Sequence, residues 1–152
     1  MLANGHSFEL PDDNVIFISG VQGIHDFDGV KQATKVCHDI QPAQLLMAAI
    51  NGIGMTLNFH TIVGIGNKNQ ISPDEKFYFS NDKFFENYGD LVPGKNFYRI
   101  QLPFKEKPLD SIHNRHRKRT QNKRVFKTEI RDQVALAIEQ YLVKDAVNLI
   151  EA

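Results

Sequence analysis

A polar turn between two apolar segments carries the residue types best suited to chemistry. Two glycines, Gly20 and Gly23, precede His25 and Asp26. A histidine beside a carboxylate can act as a general base, with the carboxylate orienting its ring. The same residues also suit a solvated loop in which Asp28 caps the next helix. His25 is therefore a candidate catalytic base for an amine, while the solvated loop is the favoured alternative.

The backbone of this turn predicts a place for an anion. A β-branched run, residues 15–18, precedes it and an amphipathic stretch follows it, which indicates a strand, a glycine turn and a helix. N–H groups and the positive helix end at such a turn suit a pyrophosphate. Because a Gly-x-x-Gly pattern is a weak signal, a unit without any ligand stays the alternative. The candidate cofactor-binding residues are Val21, Gln22, Gly23, Ile24 and Gly29.

Length and composition predict one soluble globular domain. The chain has 152 residues, of which 41% are hydrophobic and 24% are charged. The sequence shows no apolar run of membrane-spanning length and no signal peptide, which favours the cytoplasm, with the periphery of the inner membrane as the alternative. The single cysteine, Cys37, excludes an internal disulfide. It falls on an apolar helical stripe with Val36, so we expect it to be buried and inert.

The neutral net charge hides two parts of opposite sign. Residues 1–104 hold 7 Lys+Arg and 11 Asp+Glu, whereas residues 105–152 hold 11 and 7. This asymmetry is typical of chains that contact phosphates or an anionic surface.

A basic stretch near the start of the last predicted helix could form such a surface. Arg115, Lys118, Arg119 and Lys123 recur at helical spacing and share one stripe. The stripe predicts binding of lipid head groups or nucleic acid, and a solvated helix face is the alternative. No aromatic residues interleave with these charges, which disfavours nucleic acid. No cluster has metal-ligand spacing, so no metal site is predicted.

The elements that position these residues indicate an α/β (α+β) chain. We expect a small mixed sheet with packed helices over residues 1–110, and a basic and then amphipathic helix over residues 111–152. The first two main strands should be parallel, because a long crossover joins them. The predicted strands are Val15–Ser19, Phe59–Gly66, Glu75–Ser80 and Asn96–Leu102. The predicted helices before residue 111 are Gly29–Ile40, Pro42–Leu57 and Asp82–Tyr88, the last capped by Ser80, Asn81 or Asp82.

Five stretches occur in the order typical of one bacterial family. They are residues 17–23, Thr34 with residues 40–46, and residues 80–89, 97–103 and 114–124. Together they resemble the VirK/YbjX family, which has no agreed biochemical activity and some of whose members are named from virulence genes. The likeness covers nearly the whole chain. Because members are usually longer, this chain resembles their C-terminal half.

A looser resemblance links the same elements to the Gcn5-related acetyltransferases. In those enzymes a turn after a strand binds the pyrophosphate of acyl-CoA, and a tyrosine on a short helix protonates the leaving thiolate. The matching turn is Val21 to Gly29, but Phe85 stands in the tyrosine's place and cannot give a proton. The likeness implies acyl-CoA as cofactor, by analogy of fold.

Two functions therefore stay open for this sequence. One is an acyl-CoA-dependent acyltransferase-like protein that holds its donor at the turn. The other is a non-catalytic module that binds an anionic partner, membrane lipid head groups or nucleic acid, through the basic helix.

Overall fold

The computed structural model describes residues 1–21, 27–70 and 79–150, which form a mixed α/β fold. Those residues hold one five-stranded sheet, four α-helices and three short 3-10 helices. The strands are β1 (Leu2–Asn4), β2 (Asn14–Ile18), β3 (Thr61–Ile65), β4 (Asp90–Leu91) and β5 (Phe97–Gln101). The helices are α1 (Phe27–Val36), α2 (Pro42–Thr56), α3 (Asn81–Phe85) and α4 (Asn114–Ile150). The predicted fold class, a mixed sheet with helices and a long C-terminal helix, is confirmed.

The sheet has the order β1-β2-β3-β5-β4. Its central pair, β2 and β3, is parallel, as predicted, and the remaining pairs are antiparallel. The two outer strands, β1 and β4, were not predicted. Residues 75–78 of the predicted third strand lie outside the described residues.

The chain divides into two compact units. The first contains residues 1–27 and 59–105, and the second contains residues 28–58 and 106–152. The first unit has an apolar core on one face of the sheet, formed by Leu10, Val15, Val63, Ile65 and Phe97. On the other face the Phe85 ring packs on Gly64, where an added Cβ would lie 2.8 Å from the ring.

In the second unit, α2 packs against α4. Pro42 opens α2, as its missing N–H allows. The backbones of the two helices approach closely at Gly52, where a Cβ would lie 2.3 Å from the carbonyl oxygen of Arg131. Most residues of α2 are apolar, which would suit burial on nearly all sides, yet Leu46 is 63% exposed and Met55 also faces solvent.

The start and end of α1 differ from the prediction. The helix begins at Phe27, so Asp28 lies in its first turn and pairs with Lys31 at 3.1 Å instead of capping it. The helix ends at Val36, which is 76% exposed, and Cys37 beyond it is half-buried. The prediction that Cys37 is buried on one helical stripe with Val36 is therefore wrong, because α1 ends before the cysteine.

The last element is one continuous helix of 37 residues. A stripe of half-buried apolar residues follows the predicted period at Phe126, Ile130, Val134 and Ile138. Tyr141, in contrast, is 63% exposed. None of the helices in the described part of the chain has the length and apolar character needed to cross a membrane.

Candidate functional site

The carboxyl ends of β2 and β3 meet at one edge of the sheet, because these neighbouring strands are parallel. The chain leaves β2 toward Val21, and it leaves β3 through Gly66 into a 3-10 helix, Asn67–Asn69. In open α/β sheets this edge is the usual place for a ligand. All residues of the edge discussed next belong to the first compact unit.

Asn81 joins the two strand ends. It is fully buried at the first position of α3. Its side-chain oxygen accepts a hydrogen bond from the Val21 N–H at 3.2 Å, and its side-chain amide donates to the Ile65 carbonyl at 3.4 Å. Its own N–H donates to the side-chain oxygen of Asn67 at 2.9 Å. One amide side chain therefore fixes the first residue of the predicted ligand turn.

The start of α3 extends this polar network. Ser80 is the cap, since its hydroxyl accepts from the Lys83 N–H at 3.3 Å, and it also accepts from the Asn67 side chain at 3.1 Å. The Asp82 carboxylate accepts from the Asn67 N–H at 3.2 Å. The sequence allowed three residues as the N-cap of α3, and in the structure the N-cap is Ser80.

Tyr98 places a protonated phenol beside these groups. Burial raises the pKa of its hydroxyl above the usual 10.0, and the charges of Asp82 and Glu86 raise the pKa further. The Asp82 side chain, acting on the hydroxyl, further favours the neutral phenol. Asp82 thus accepts a hydrogen bond from the Asn67 N–H and interacts with a neutral phenol.

Two glycines, Gly66 and Gly20, leave room for the hydrogen-bond network around Asn81 and Asp82. A Cβ at Gly66 would lie 2.5 Å from a carboxylate oxygen of Asp82. A Cβ at Gly20 would lie 3.4 Å from the side-chain nitrogen of Asn81 and 3.5 Å from that of Gln70. The side-chain oxygen of Gln70 is buried and has no hydrogen-bond partner in the described part of the chain.

The structure describes only part of the predicted cofactor site. Val21 lies at the edge, held by Asn81. Gly29 lies within α1, in the second compact unit. Phe85 is fully buried in the core and packs beside Tyr98, with ring centroids 6.0 Å apart. The other predicted residues, Gln22, Gly23, Ile24 and the candidate base His25, lie outside the described residues.

The four residues of the predicted basic stripe have two different environments in the structure. Arg119 pairs with the Asp39 carboxylate at 2.9 Å, and Lys123 donates to the Asp39 carbonyl oxygen. Burial, followed by the charge of Arg119, lowers the pKa of Lys123. Arg115 and Lys118 are exposed and form no ion pair with any residue that the structure describes. Half of the stripe therefore fastens the turn after α1, and the other half faces solvent.

Other basic residues of α4 hold the segment before it. Arg117 donates to the Ile112 carbonyl at 2.9 Å. Glu106 pairs with Arg124 at 2.6 Å and with Lys127 at 2.9 Å. Sequence spacing did not reveal these roles, because the partners lie across a loop. Among the residues that the structure describes, no three His, Cys, Asp or Glu side chains come close enough to hold a metal ion.

Comparison with known proteins identifies the family. The profile described as "Protein of unknown function (DUF535)" matches residues 5–138. The chain belongs to the DUF535 family. An uncharacterized protein of Haemophilus influenzae is 31% identical to it over 144 residues, which are 88% of this chain and 46% of that protein.

The uncharacterized protein YbjX of Escherichia coli K12 is 24% identical over 119 residues, which cover 72% of this chain and 36% of YbjX. The predicted VirK/YbjX membership is thereby confirmed. The DUF535 chain spans less than half the length of these curated relatives. No solved structure matches it, so the resemblance to the Gcn5-related acetyltransferases stays a prediction.

Proposed function

We propose that this DUF535 chain is an acyltransferase-like protein that binds acyl-CoA at the carboxyl ends of β2 and β3. The observation that carries the proposal is the double contact of buried Asn81, which ties Val21 to the end of β3 at Ile65. Ligands of open α/β sheets bind outside such strand ends. The pyrophosphate would accept hydrogen bonds from backbone N–H groups of the turn that begins at Val21.

Asp82, an acidic group at this edge, does not argue against an anionic ligand. Asp82 accepts a hydrogen bond from the Asn67 N–H and interacts with the neutral hydroxyl of Tyr98. Donors that point at a carboxylate offset part of its negative charge. Because the pKa of Tyr98 is raised, this hydroxyl keeps its proton at neutral pH. The field that a bound pyrophosphate meets is therefore weaker than an isolated carboxylate would produce.

The proposal gives no catalytic role to Phe85, because an apolar buried ring can neither donate a proton nor reach a ligand. His25 is proposed as the base that deprotonates an acceptor amine. The proton that the leaving thiolate needs would come from another group or from water. Donor binding is accordingly the first step to test.

A thermal-shift experiment with acetyl-CoA and long-chain acyl-CoA tests donor binding. At a hundredfold excess over the dissociation constant, ligand should add about 2.7 kcal/mol to the free energy of unfolding. Gly23→Asp should remove the shift, because it brings a side chain and a negative charge to the anion site. Asn58→Asp adds the same charge at an exposed residue after α2 and should keep the shift. A folded wild-type protein with no shift would refute the proposal.

A second candidate function is binding to an anionic membrane surface through α4. The observation that favours it is the exposure of Arg115 and Lys118, whose charges no described acidic residue neutralises. Each basic residue near an anionic bilayer contributes roughly 1 kcal/mol of attraction. Nucleic acid is disfavoured, since no aromatic residues accompany these charges. This function would place the protein at the inner-membrane periphery.

Sedimentation with liposomes tests this candidate. The protein should sediment with anionic vesicles at low salt and be released as salt rises, because charges are screened over about 10 Å at 0.1 M. A double variant, Arg115→Ala with Lys118→Ala, should lose binding. The control Lys35→Ala with Lys68→Ala removes the same charge from other exposed sites and should retain it. Equal sedimentation with neutral vesicles would count against an electrostatic interaction.

A further inference from the structure

A cleft of about 540 Å³ lies on the first compact unit, away from the edge described above. The segment that follows α3, through β4, forms one wall, and β5 with Lys105 forms the other. Because β5 runs antiparallel to β3, its cleft residues Arg99 and Gln101 pair with the amino-terminal half of β3. The cleft is of the size that holds small ligands.

Arg99 lines the cleft and carries a buried donor without a partner among the residues that the structure describes. Its side chain is 39% exposed, and its Nε atom is buried with no hydrogen-bond partner in the described part of the chain. The ion pair it forms there is loose, with Asp12 at 3.8 Å. That carboxylate already accepts a hydrogen bond from the Thr61 hydroxyl at 2.9 Å. A guanidinium has five donors, and the exposed part of this side chain leaves donors available to a ligand in the cleft.

We propose that the cleft binds a ligand that carries a carboxylate on an apolar body, with the carboxylate on Arg99. The planar guanidinium matches a carboxylate through two parallel hydrogen bonds. Lys105, in the same lining, adds a second positive charge. Leu91 and Val92 line the cleft as well and suit the apolar part of the ligand.

The two carboxylates of the lining are compatible with this ligand. Glu86 and Asp90 are both exposed, so their charges are solvated and screened. Arg99 is half-buried, and its attraction for an anion is screened less. The exposed pair therefore leaves the guanidinium as the stronger determinant of what binds.

The carboxylate could belong to a free acid or to the carboxyl terminus of a peptide, and the experiment separates these sources. Uniformly 15N-labelled protein is titrated with hexanoate and, separately, with the peptide acetyl-Gly-Ala-Leu. We expect saturable shifts of the backbone amides of Gly89, Asp90 and Arg99 with at least one probe. Hexanamide and the amidated peptide, which lack the carboxylate, should produce none. A probe that shifts these amides equally with and without its carboxylate would overturn the proposal.

Three variants assign the contact. Arg99→Lys keeps the charge toward Asp12 but loses the planar fork, and should weaken binding about tenfold. Lys105→Gln, at an exposed position, should weaken ligand binding roughly threefold. This variant tests the carboxylate contact if Arg99→Lys fails to fold. Lys83→Gln removes an equal charge from an exposed residue outside the lining and should bind normally. No saturable shift with either probe, or unchanged affinity in the Lys105 variant, would refute the carboxylate site.

Discussion

The side-chain oxygen of Asn81 lies 3.2 Å from the backbone nitrogen of Val21, a residue 60 positions earlier in the chain. The amide nitrogen of the same side chain reaches the Ile65 carbonyl. Three separate elements, the end of β2, the end of β3 and the start of α3, thus share one buried polar group. Stability and the proposed ligand site depend on the same residue.

Asn81→Ala should lower the free energy of unfolding by about 2–3 kcal/mol, because it leaves the part-buried N–H of Val21 and the buried carbonyl of Ile65 without this partner. Urea unfolding measures this loss. The matched control is Asn87→Ala, at an exposed asparagine that bonds to the Lys83 and Phe84 carbonyls, and it should cost less than about 1 kcal/mol. A loss in Asn81→Ala of less than about 1 kcal/mol would show that the buried contact does not stabilise the fold.

Gly52→Ala should destabilise the second unit, although alanine normally favours a helix over glycine. The new methyl group would meet the Arg131 carbonyl oxygen at 2.3 Å, so α2 and α4 would have to separate. We expect a loss of about 2 kcal/mol or more in thermal or urea unfolding. Leu46→Ala, at an exposed position of the same helix, should change stability by less than about 0.5 kcal/mol. A stabilised Gly52 variant would contradict the close helix crossing.

Tyr98 should give stability a specific dependence on alkaline pH. Its pKa is raised in the folded state above the 10.0 expected when unfolded. The folded state therefore binds the proton more tightly, and the stability this provides is complete below pH ~10 and is lost as pH rises through the folded pKa. Between pH ~9 and ~11, wild type should lose more free energy of unfolding than Tyr98→Phe. Parallel pH profiles would mean that Tyr98 has no raised pKa.

Local sequence patterns predicted the elements whose causes are local. The apolar run of β2 and Pro42 at the start of α2 were predicted from neighbouring residues, and the cap of α3 was narrowed to Ser80, Asn81 or Asp82. The outer strands β1 and β4 were not predicted, because two or three residues form a strand only when another strand pairs with them.

The hydrogen-bond network at the carboxyl ends of β2 and β3 was less predictable than the sheet itself. Asn81 was recognised only as a possible cap, since its partner Val21 is distant in sequence. Likewise, spacing placed Arg119 and Lys123 on one stripe with Arg115, but Asp39, which engages the first two, comes from the turn after α1. Helical spacing shows which residues share a face, and only the folded chain shows what that face meets.

The most direct test of acyl-CoA binding is an NMR titration of the 15N-labelled protein with acetyl-CoA and then with a long-chain acyl-CoA. The account predicts saturable shifts of the Gly20, Val21 and Asn81 amides with at least one donor, and their loss in Gly23→Asp. If these three amides stay unchanged with both donors, or if only α4 amides such as Lys118 shift, the proposed site at the ends of β2 and β3 is contradicted.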